Sequence, residues 1–199
     1  MSARTAFIAG SLAFAVGAAA IGFGLVHYGA SGSGGATATQ PSSVGGPFQL
    51  VDQNGATVTE AEVKGRPYLL FFGFTHCPDV CPTALSEMTQ TFDALGPDAD
   101  KLQALFVTVD PARDTPETLK EYLSSFSPRI RGLTGSQAQV DAAVKTFRAY
   151  ARKVPLDGDN YTMDHTALVY LMDRDGAFVQ PLNLKREPAD VAAELKRYL

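Results

Sequence analysis

Residues 67–85 read PYLLFFGFTHCPDVCPTAL, and this stretch decides the fold class of the chain. Pro67–Phe74 is a nearly unbroken apolar run, which is typical of a strand buried on both faces. After a short loop, apolar residues recur at helical spacing, at Leu85, Met88, Phe92 and Leu95. A buried strand followed directly by an amphipathic helix predicts an open α/β sheet. Ligands in such sheets bind at the carboxyl ends of the strands.

Strands and helices alternate on both sides of this unit. Asn54-Gly55 is a hairpin turn signal between two short apolar segments upstream. The downstream segments predict strands at Leu102–Val109 and Thr166–Met172, helices that begin at Thr115-Pro116, Ser136 and Pro188, and a turn at Asp173–Gly176. This alternation predicts a three-layer α/β domain over residues 47–199.

The first fifty residues differ from the rest of the chain in charge. Arg4 is their only charged side chain, whereas the whole chain has 17 basic and 21 acidic residues and a net charge of −4. A nucleic-acid-binding protein normally carries a basic surface, so this composition excludes that class.

The uncharged segment Thr5–Val26 is long enough to cross a bilayer, since its length as a helix is roughly 33 Å and a hydrocarbon core is ~30 Å thick. We expect residues 1–28 to be a membrane anchor, 29–46 a flexible Gly/Ser-rich linker and 47–199 the exported domain. The alternative is a cleaved signal peptide, with Ala18–Ala20 or Ala36–Ala38 as the cleavage site. Arg4 before the span predicts a domain facing the periplasm of a bacterium or the mitochondrial intermembrane space.

Cys77 and Cys81 are the only cysteines, and they flank the start of the predicted helix. A structural disulfide across so short a loop would add only ~2 kcal/mol in the chain-entropy model, and a domain of this size does not need it. We expect the helix N-terminus to lower the pKa of these thiols, which suits disulfide exchange or the binding of a soft metal.

Three observations favour a metal site. The spacing is Cys-x3-Cys rather than the Cys-x-x-Cys of redox motifs. His76 and His165 are candidates for a further ligand, whereas His27 lies at the membrane boundary. Two thiolates and one imidazole suit Cu(I) above all, with Cu(II) and Zn(II) as alternatives.

Three short segments carry a resemblance to a known family. They are Phe74–Thr83 (FTHCPDVCPT), Val109–Pro116 (VDPARDTP) and Asp164–Thr166 (DHT). In this order they resemble the Sco/SenC family, which are membrane-tethered copper chaperones for the assembly of cytochrome c oxidase. The resemblance covers residues 47–199 and includes the N-terminal anchor.

The resemblance implies a thioredoxin-like fold with an N-terminal transmembrane helix, and copper ligands at Cys77, Cys81 and His165. It makes His76 a supporting loop residue. We expect one copper ion per chain, as Cu(I) or Cu(II), and a redox-active disulfide between the two cysteines. The implied partners are the copper-bearing subunit of cytochrome c oxidase, where the chain would serve the copper A centre, and other copper chaperones.

A geometric condition follows from the predicted strands. Cys77 follows the end of one strand, whereas we expect His165 at the start of the strand Thr166–Met172. The two can meet at one edge of the sheet only if that strand runs antiparallel to the first. A thioredoxin-like sheet meets this condition.

Three acidic residues near these motifs keep two interpretations each. Asp79 and Asp164 either cap and shape turns, or orient a ligand, add an oxygen ligand for Cu(II) or contact a basic partner. Asp110 with Arg113 predicts that the segment Asp110–Asp114 forms a turn held by its own ion pair, or a rim of the site. For the whole chain we expect no turnover enzyme and no catalytic residue. The rival functions are a thiol–disulfide oxidoreductase acting on the oxidase subunit and a redox or copper sensor.

Overall fold

The apolar segment that decides the fold class forms the central strand of a mixed sheet. The computed structural model describes residues 44–199, so the predicted anchor, its cleavage sites and most of the linker 29–46 lie outside the described residues. The strands are β1 Gln49–Asp52, β2 Thr57–Thr59, β3 Tyr68–Gly73, β4 Gln103–Thr108, β5 Ile130–Thr134, β6 Ala151–Pro155, β7 Tyr161–His165, β8 Val169–Met172 and β9 Phe178–Leu182. The helices are α1 Glu60–Val63, α2 Val80–Leu95, α3 Pro116–Leu123, α4 Gln137–Thr146 and α5 Pro188–Leu195, with a 3-10 turn at Gly96–Lys101.

Seven of these strands form one sheet in the order β2-β1-β5-β4-β3-β8-β9. Strands β3, β4 and β5 are parallel, and β8 pairs antiparallel with β3. All six residues of β3 are buried, because the strand has neighbours on both edges and helices over both faces. The predicted antiparallel direction of the strand after His165 is therefore confirmed.

Helices cover both faces of the sheet. Gly73 and Gly132 lie on the same face of the sheet as Phe106. A Cβ on Gly73 would contact Cys81 of α2, and a Cβ on Gly132 would contact Leu123 of α3, so both helices cover this face. On the opposite face, the Phe72 ring packs edge-on against Phe147, which caps α4. The predicted three-layer arrangement is confirmed, and its core holds the predicted helix positions Leu85, Met88, Phe92 and Leu95.

Several local predictions are also confirmed. The turn at Asn54-Gly55 joins β1 to β2, with Gly55 at a φ of 84° that favours glycine. Ser136 and Gln139 form a capping box at the start of α4, and Thr115 accepts a hydrogen bond from the Thr118 N–H at the start of α3.

One prediction about strand boundaries is wrong. The third apolar strand begins at Val169 rather than at Thr166, and His165 is the last residue of β7, which pairs antiparallel with β6 in a separate two-stranded sheet. None of the ten residues in these two strands is buried and half of them are polar or charged, so the strands lack the long apolar runs of β3 and β4. Asp157-Gly158, with Gly158 at a φ of 68°, is the turn signal that could have located it.

Among residues 44–199, no helix is both long and apolar enough to cross a membrane.

Candidate metal centre

The cysteine loop lies at the carboxyl end of β3, where the chain turns into α2. The Cys77 N–H donates to the Phe74 carbonyl at 3.2 Å, which folds the loop back on the end of the strand. Cys81, in the first turn of α2, is fully buried, and its N–H donates to Cys77 Sγ at 3.4 Å. An N–H in the first turn of the helix, which has no partner within the helix, thus helps to hold the Cys77 thiol close to Cys81. Both cysteines are free thiols.

His165 reaches the same edge of the sheet from the β6–β7 hairpin. Its Nε2 lies 3.6 Å from Cys81 Sγ, and the ligand atoms of Cys77, Cys81 and His165 all lie within 4.8 Å of one another. His165 Nδ1 is 3.1 Å from the Thr166 carbonyl, which can only accept a hydrogen bond, so Nδ1 carries the ring proton. The Nε2 lone pair is therefore directed at the thiols, as metal binding requires.

Apolar rings support the imidazole. The rings of Phe71 and Phe74 meet His165 edge-on, with centroids 6.2 Å and 5.7 Å away, and both phenylalanines are buried. This packing limits the directions in which the imidazole can rotate. Two sulfur donors and one imidazole nitrogen in a partly buried site suit a soft ion such as Cu(I).

Burial raises the pKa of the Cys81 thiol above its usual range, and the neighbouring Cys77 sulfur adds to the effect. For this residue the expectation that a helix N-terminus lowers the thiol pKa is wrong. Desolvation of a completely buried sulfur outweighs the field of the first helical turn. The proton on Cys81 must therefore be displaced when a metal binds.

The other residues considered from sequence lie outside this group. His76 is exposed, and its Nδ1 is 3.1 Å from the Thr75 hydroxyl rather than near the thiols. Asp79 is exposed and makes no side-chain hydrogen bond that caps α2. Asp164 is exposed, faces away from His165 by strand alternation, and lies 3.7 Å from Arg152 across the hairpin.

Asp110 and Arg113 form the predicted ion pair, and Asp110 is buried. The pair also contacts Tyr161 of β7, which the motif gave no reason to expect. The Tyr161 hydroxyl donates to Asp110 at 2.9 Å. The turn after β4 is thus connected to the strand that carries His165.

Two further residues shape the site: sequence reasoning assigned Gly73 no role and placed Asp114 only in the turn at residues 110–114. A Cβ on Gly73 would lie 2.9 Å from Cys81 Sγ and 2.6 Å from the Phe106 ring, so only glycine lets the thiol approach the strand so closely. Asp114 is fully buried and accepts hydrogen bonds from the Thr75 N–H at 3.0 Å and from the Thr75 and Thr108 hydroxyls at 2.6 Å each. The only available signals were a glycine at the end of an apolar strand and a second acid in the VDPARDTP segment.

The chain is similar to known proteins, one of them a structure solved with copper bound. A SCO2-like protein of Rickettsia felis is 40% identical over 155 residues, which cover 77% of this chain and 76% of that protein. The structure of ScoI from Bradyrhizobium japonicum with copper bound is 60% identical, with a TM-score of 0.77, and the match covers 78% of this chain and 99% of that one. This agreement confirms the expected thioredoxin-like mixed α/β fold for the described residues.

A more distant match is the structure of BsSco, a member of the Sco family of cytochrome c oxidase assembly proteins in which a disulfide switch was identified. It is 25% identical with a TM-score of 0.62, and the match covers 79% of this chain and 94% of that one. The SCO1/SenC family model matches residues 36–199. These residues include the whole cluster of two thiols and one imidazole, and the chain belongs to the SCO1/SenC family.

Proposed function

We propose that this chain is a copper-binding metallochaperone for cytochrome c oxidase, and that Cys77, Cys81 and His165 hold one copper ion as cargo. The observation that carries the proposal is the approach of three soft or borderline ligand atoms within 4.8 Å of one another. The copper-bound relative with 60% identity and the family of oxidase assembly proteins support it.

The three ligands differ in access, which suits transfer rather than storage. Cys81 is fully buried, whereas Cys77 and His165 are only partly buried. Incoming thiolates of a client can replace Cys77 or His165 first, while Cys81 still holds the ion. The ion then leaves by stepwise ligand exchange and is never free in solution. The client we propose is the copper-bearing subunit of the oxidase, which receives the copper A centre.

A second role as a thiol–disulfide oxidoreductase is favoured by the same unequal exposure of the thiols. The Cys77 thiolate attacks a disulfide of the client and forms a mixed disulfide, which Cys81 resolves. The client disulfide is thereby reduced to two thiols, and Cys77 and Cys81 are oxidised to a disulfide. The disulfide switch of BsSco supports this role.

We also propose the location that the sequence predicts: an anchor at residues 1–28, a tether at 29–46, and a domain at 47–199 outside the bacterial inner membrane or in the mitochondrial intermembrane space. Two measurements test the anchor. The full-length chain should stay in membranes after a carbonate wash. Mass spectrometry should find its first residues intact rather than removed at Ala20 or Ala38.

Metal analysis of the full-length chain in detergent tests the metal site. The reduced chain should hold one copper, and oxidation of Cys77 and Cys81 to a disulfide should abolish tight binding, because a disulfide offers no thiolate. Cys77→Ser and Cys81→Ser should each weaken the binding of both Cu(I) and Cu(II), with His76→Ala as the control. Two tightly held ions, none, or tight binding after oxidation would contradict the proposed site.

A further inference from the structure

The β6–β7 hairpin that carries His165 has little core of its own. It is a separate two-stranded sheet whose residues are exposed or half-buried. An isolated two-stranded hairpin is marginally stable in water. The position of His165 therefore depends on how the hairpin is attached to the main sheet.

Asp110 and Arg113 attach the hairpin at Tyr161, the first residue of β7. The Tyr161 hydroxyl donates to Asp110 Oδ1 at 2.9 Å, and Arg113 Nη1 donates to the Tyr161 carbonyl at 3.1 Å. The guanidinium also lies over the Tyr161 ring, with Cζ 3.8 Å from its centroid, and Arg113 Nε pairs with Asp110 Oδ2. One side chain pair thus holds the backbone, the ring and the hydroxyl of a single hairpin residue.

This attachment begins at the same sheet edge as the cysteine loop. The buried Asp110 follows β4, and its N–H donates to the Thr108 hydroxyl at 2.9 Å. The neighbouring Val109 N–H donates to the carbonyl of Gly73, at the end of β3, at 2.8 Å. The contact on Tyr161 and the thiols are therefore fixed to adjacent ends of two parallel strands.

Tyr161, Met163 and His165 alternate along β7 and so face the same side of the hairpin. Tyr161 and His165 are four residues apart, about 13 Å along an extended strand. An attachment at Tyr161 limits how far the opposite end of β7 can swing. This geometry lowers the stability of the folded state, because Arg113 Nη2 is buried without a hydrogen-bond partner among the described residues.

We propose that Asp110, Arg113 and Tyr161 are positioning residues, which hold His165 at contact distance from the two thiols by fixing the far end of β7. The proposal rests on the copper ligands proposed above. Cu(II) prefers nitrogen donors and a defined geometry, whereas Cu(I) can be held by two thiolates. Loss of the attachment should therefore weaken Cu(II) binding much more than Cu(I) binding.

Arg113→Lys and Tyr161→Phe test the proposal in the full-length chain. Lysine keeps the charge beside Asp110 but loses the planar fork that reaches the Tyr161 carbonyl and covers the ring. Phenylalanine keeps the ring and removes only the hydroxyl that donates to Asp110. Arg129→Lys is the matched control, because Arg129 pairs with Asp100 on an exposed surface.

The first readout needs no copper. Amide hydrogen exchange at residues 151–165 should become several-fold faster in Arg113→Lys and Tyr161→Phe, with little change in the central strands or in Arg129→Lys. The second readout is copper binding. Cu(II) affinity and its thiolate-to-copper absorption band should fall, by about tenfold for Arg113→Lys as for other residues that orient metal ligands, while Cu(I) affinity stays close to that of the unaltered chain.

Unchanged hairpin exchange would overturn the proposal, and so would faster exchange with unchanged Cu(II) binding. If Arg113→Lys does not fold, Tyr161→Phe decides by the same two readouts. His165→Ala separates the two proposals. If it leaves Cu(II) binding intact, the ligand assignment fails and the positioning role with it. If it removes Cu(II) binding while Arg113→Lys and Tyr161→Phe do not, only the positioning role fails.

Discussion

His165 Nε2 lies 3.6 Å from Cys81 Sγ, although 84 residues separate the two in the chain. Because β8 runs antiparallel to β3, it begins at the edge where β3 ends, and the hairpin just before β8 places the imidazole beside the thiols. This relationship distinguishes the site from one built only from the loop at residues 75–81.

His165→Ala should separate the two copper oxidation states. It should weaken Cu(I) binding modestly, because Cys77 and Cys81 can hold Cu(I) alone, and it should remove stable Cu(II) binding with its visible thiolate-to-copper band. Anaerobic titration of each ion, followed by absorption spectroscopy, measures both effects. His76→Ala is the control, since His76 is exposed beside Thr75. If His76→Ala loses the Cu(II) spectrum and His165→Ala keeps it, the chosen histidine is wrong.

Gly73→Ala should displace Cys81 without removing any ligand. The new Cβ would lie 2.9 Å from Cys81 Sγ and 2.6 Å from the Phe106 ring, so α2 or the ring must move. We expect a loss of about 1–3 kcal/mol in the free energy of unfolding, as for other overpacked cores, together with weaker copper binding.

Denaturant unfolding and Cu(I) competition measure these two quantities. Gly132→Ala is the control for overpacking away from the thiols, because the three atoms nearest its Cβ would all belong to Leu119 and Leu123 of α3, the closest at 2.5 Å. Wild-type affinity in Gly73→Ala would show that the close approach of Cys81 to β3 does not matter.

The apparent Cu(I) affinity should keep rising with pH beyond the range in which an ordinary thiol ionises. Copper binds the thiolate and displaces its proton, so higher pH favours binding. Burial raises the pKa of Cys81, which moves the upper limit of this dependence above the usual thiol value of about 8.5. Affinity should change by up to about tenfold per pH unit for each proton displaced. Competition titrations from acid to alkaline pH measure the slope, and a plateau already reached near neutral pH would contradict the buried thiol.

Asp114→Ala should destabilise the cysteine loop, because Asp114 accepts hydrogen bonds from Thr75 at the start of that loop. It removes the acceptor of the Thr75 N–H and of the Thr75 and Thr108 hydroxyls, of which Thr108 is fully buried and Thr75 half-buried. Hydrogen bonds to a charged group contribute about 1.5–3 kcal/mol each, so we expect a loss of at least about 3 kcal/mol in the free energy of unfolding.

Thermal and denaturant unfolding provide the measurement. Asp141→Ala is the control, because that carboxylate is exposed and accepts its hydrogen bond from the Gln137 side chain at the surface. We expect it to change stability by less than about 0.5 kcal/mol. Equal effects of the two substitutions would show that burial of Asp114 has no consequence for the loop.

The features of this protein that depend on local pattern can be predicted from its amino-acid sequence alone. One short stretch contains the apolar run of β3, the helical spacing of Leu85 and Met88, and the two cysteines that lie between that run and Leu85. The three motifs added the family, and with it the expectation that His165 completes the ligand set. Burial periodicity and capping act over a few residues, so they can be interpreted without knowing what packs against them.

The surroundings of those residues, in contrast, depend on contacts that form only in the folded protein. The β6–β7 hairpin lacks an apolar run like that of β3, and its attachment comes from Arg113 and Asp110, about fifty residues earlier in the chain. The raised pKa of Cys81 follows from complete burial under neighbours that are distant in sequence. These properties arise from contacts made when separate segments meet in three dimensions, and no local period in the sequence records such contacts.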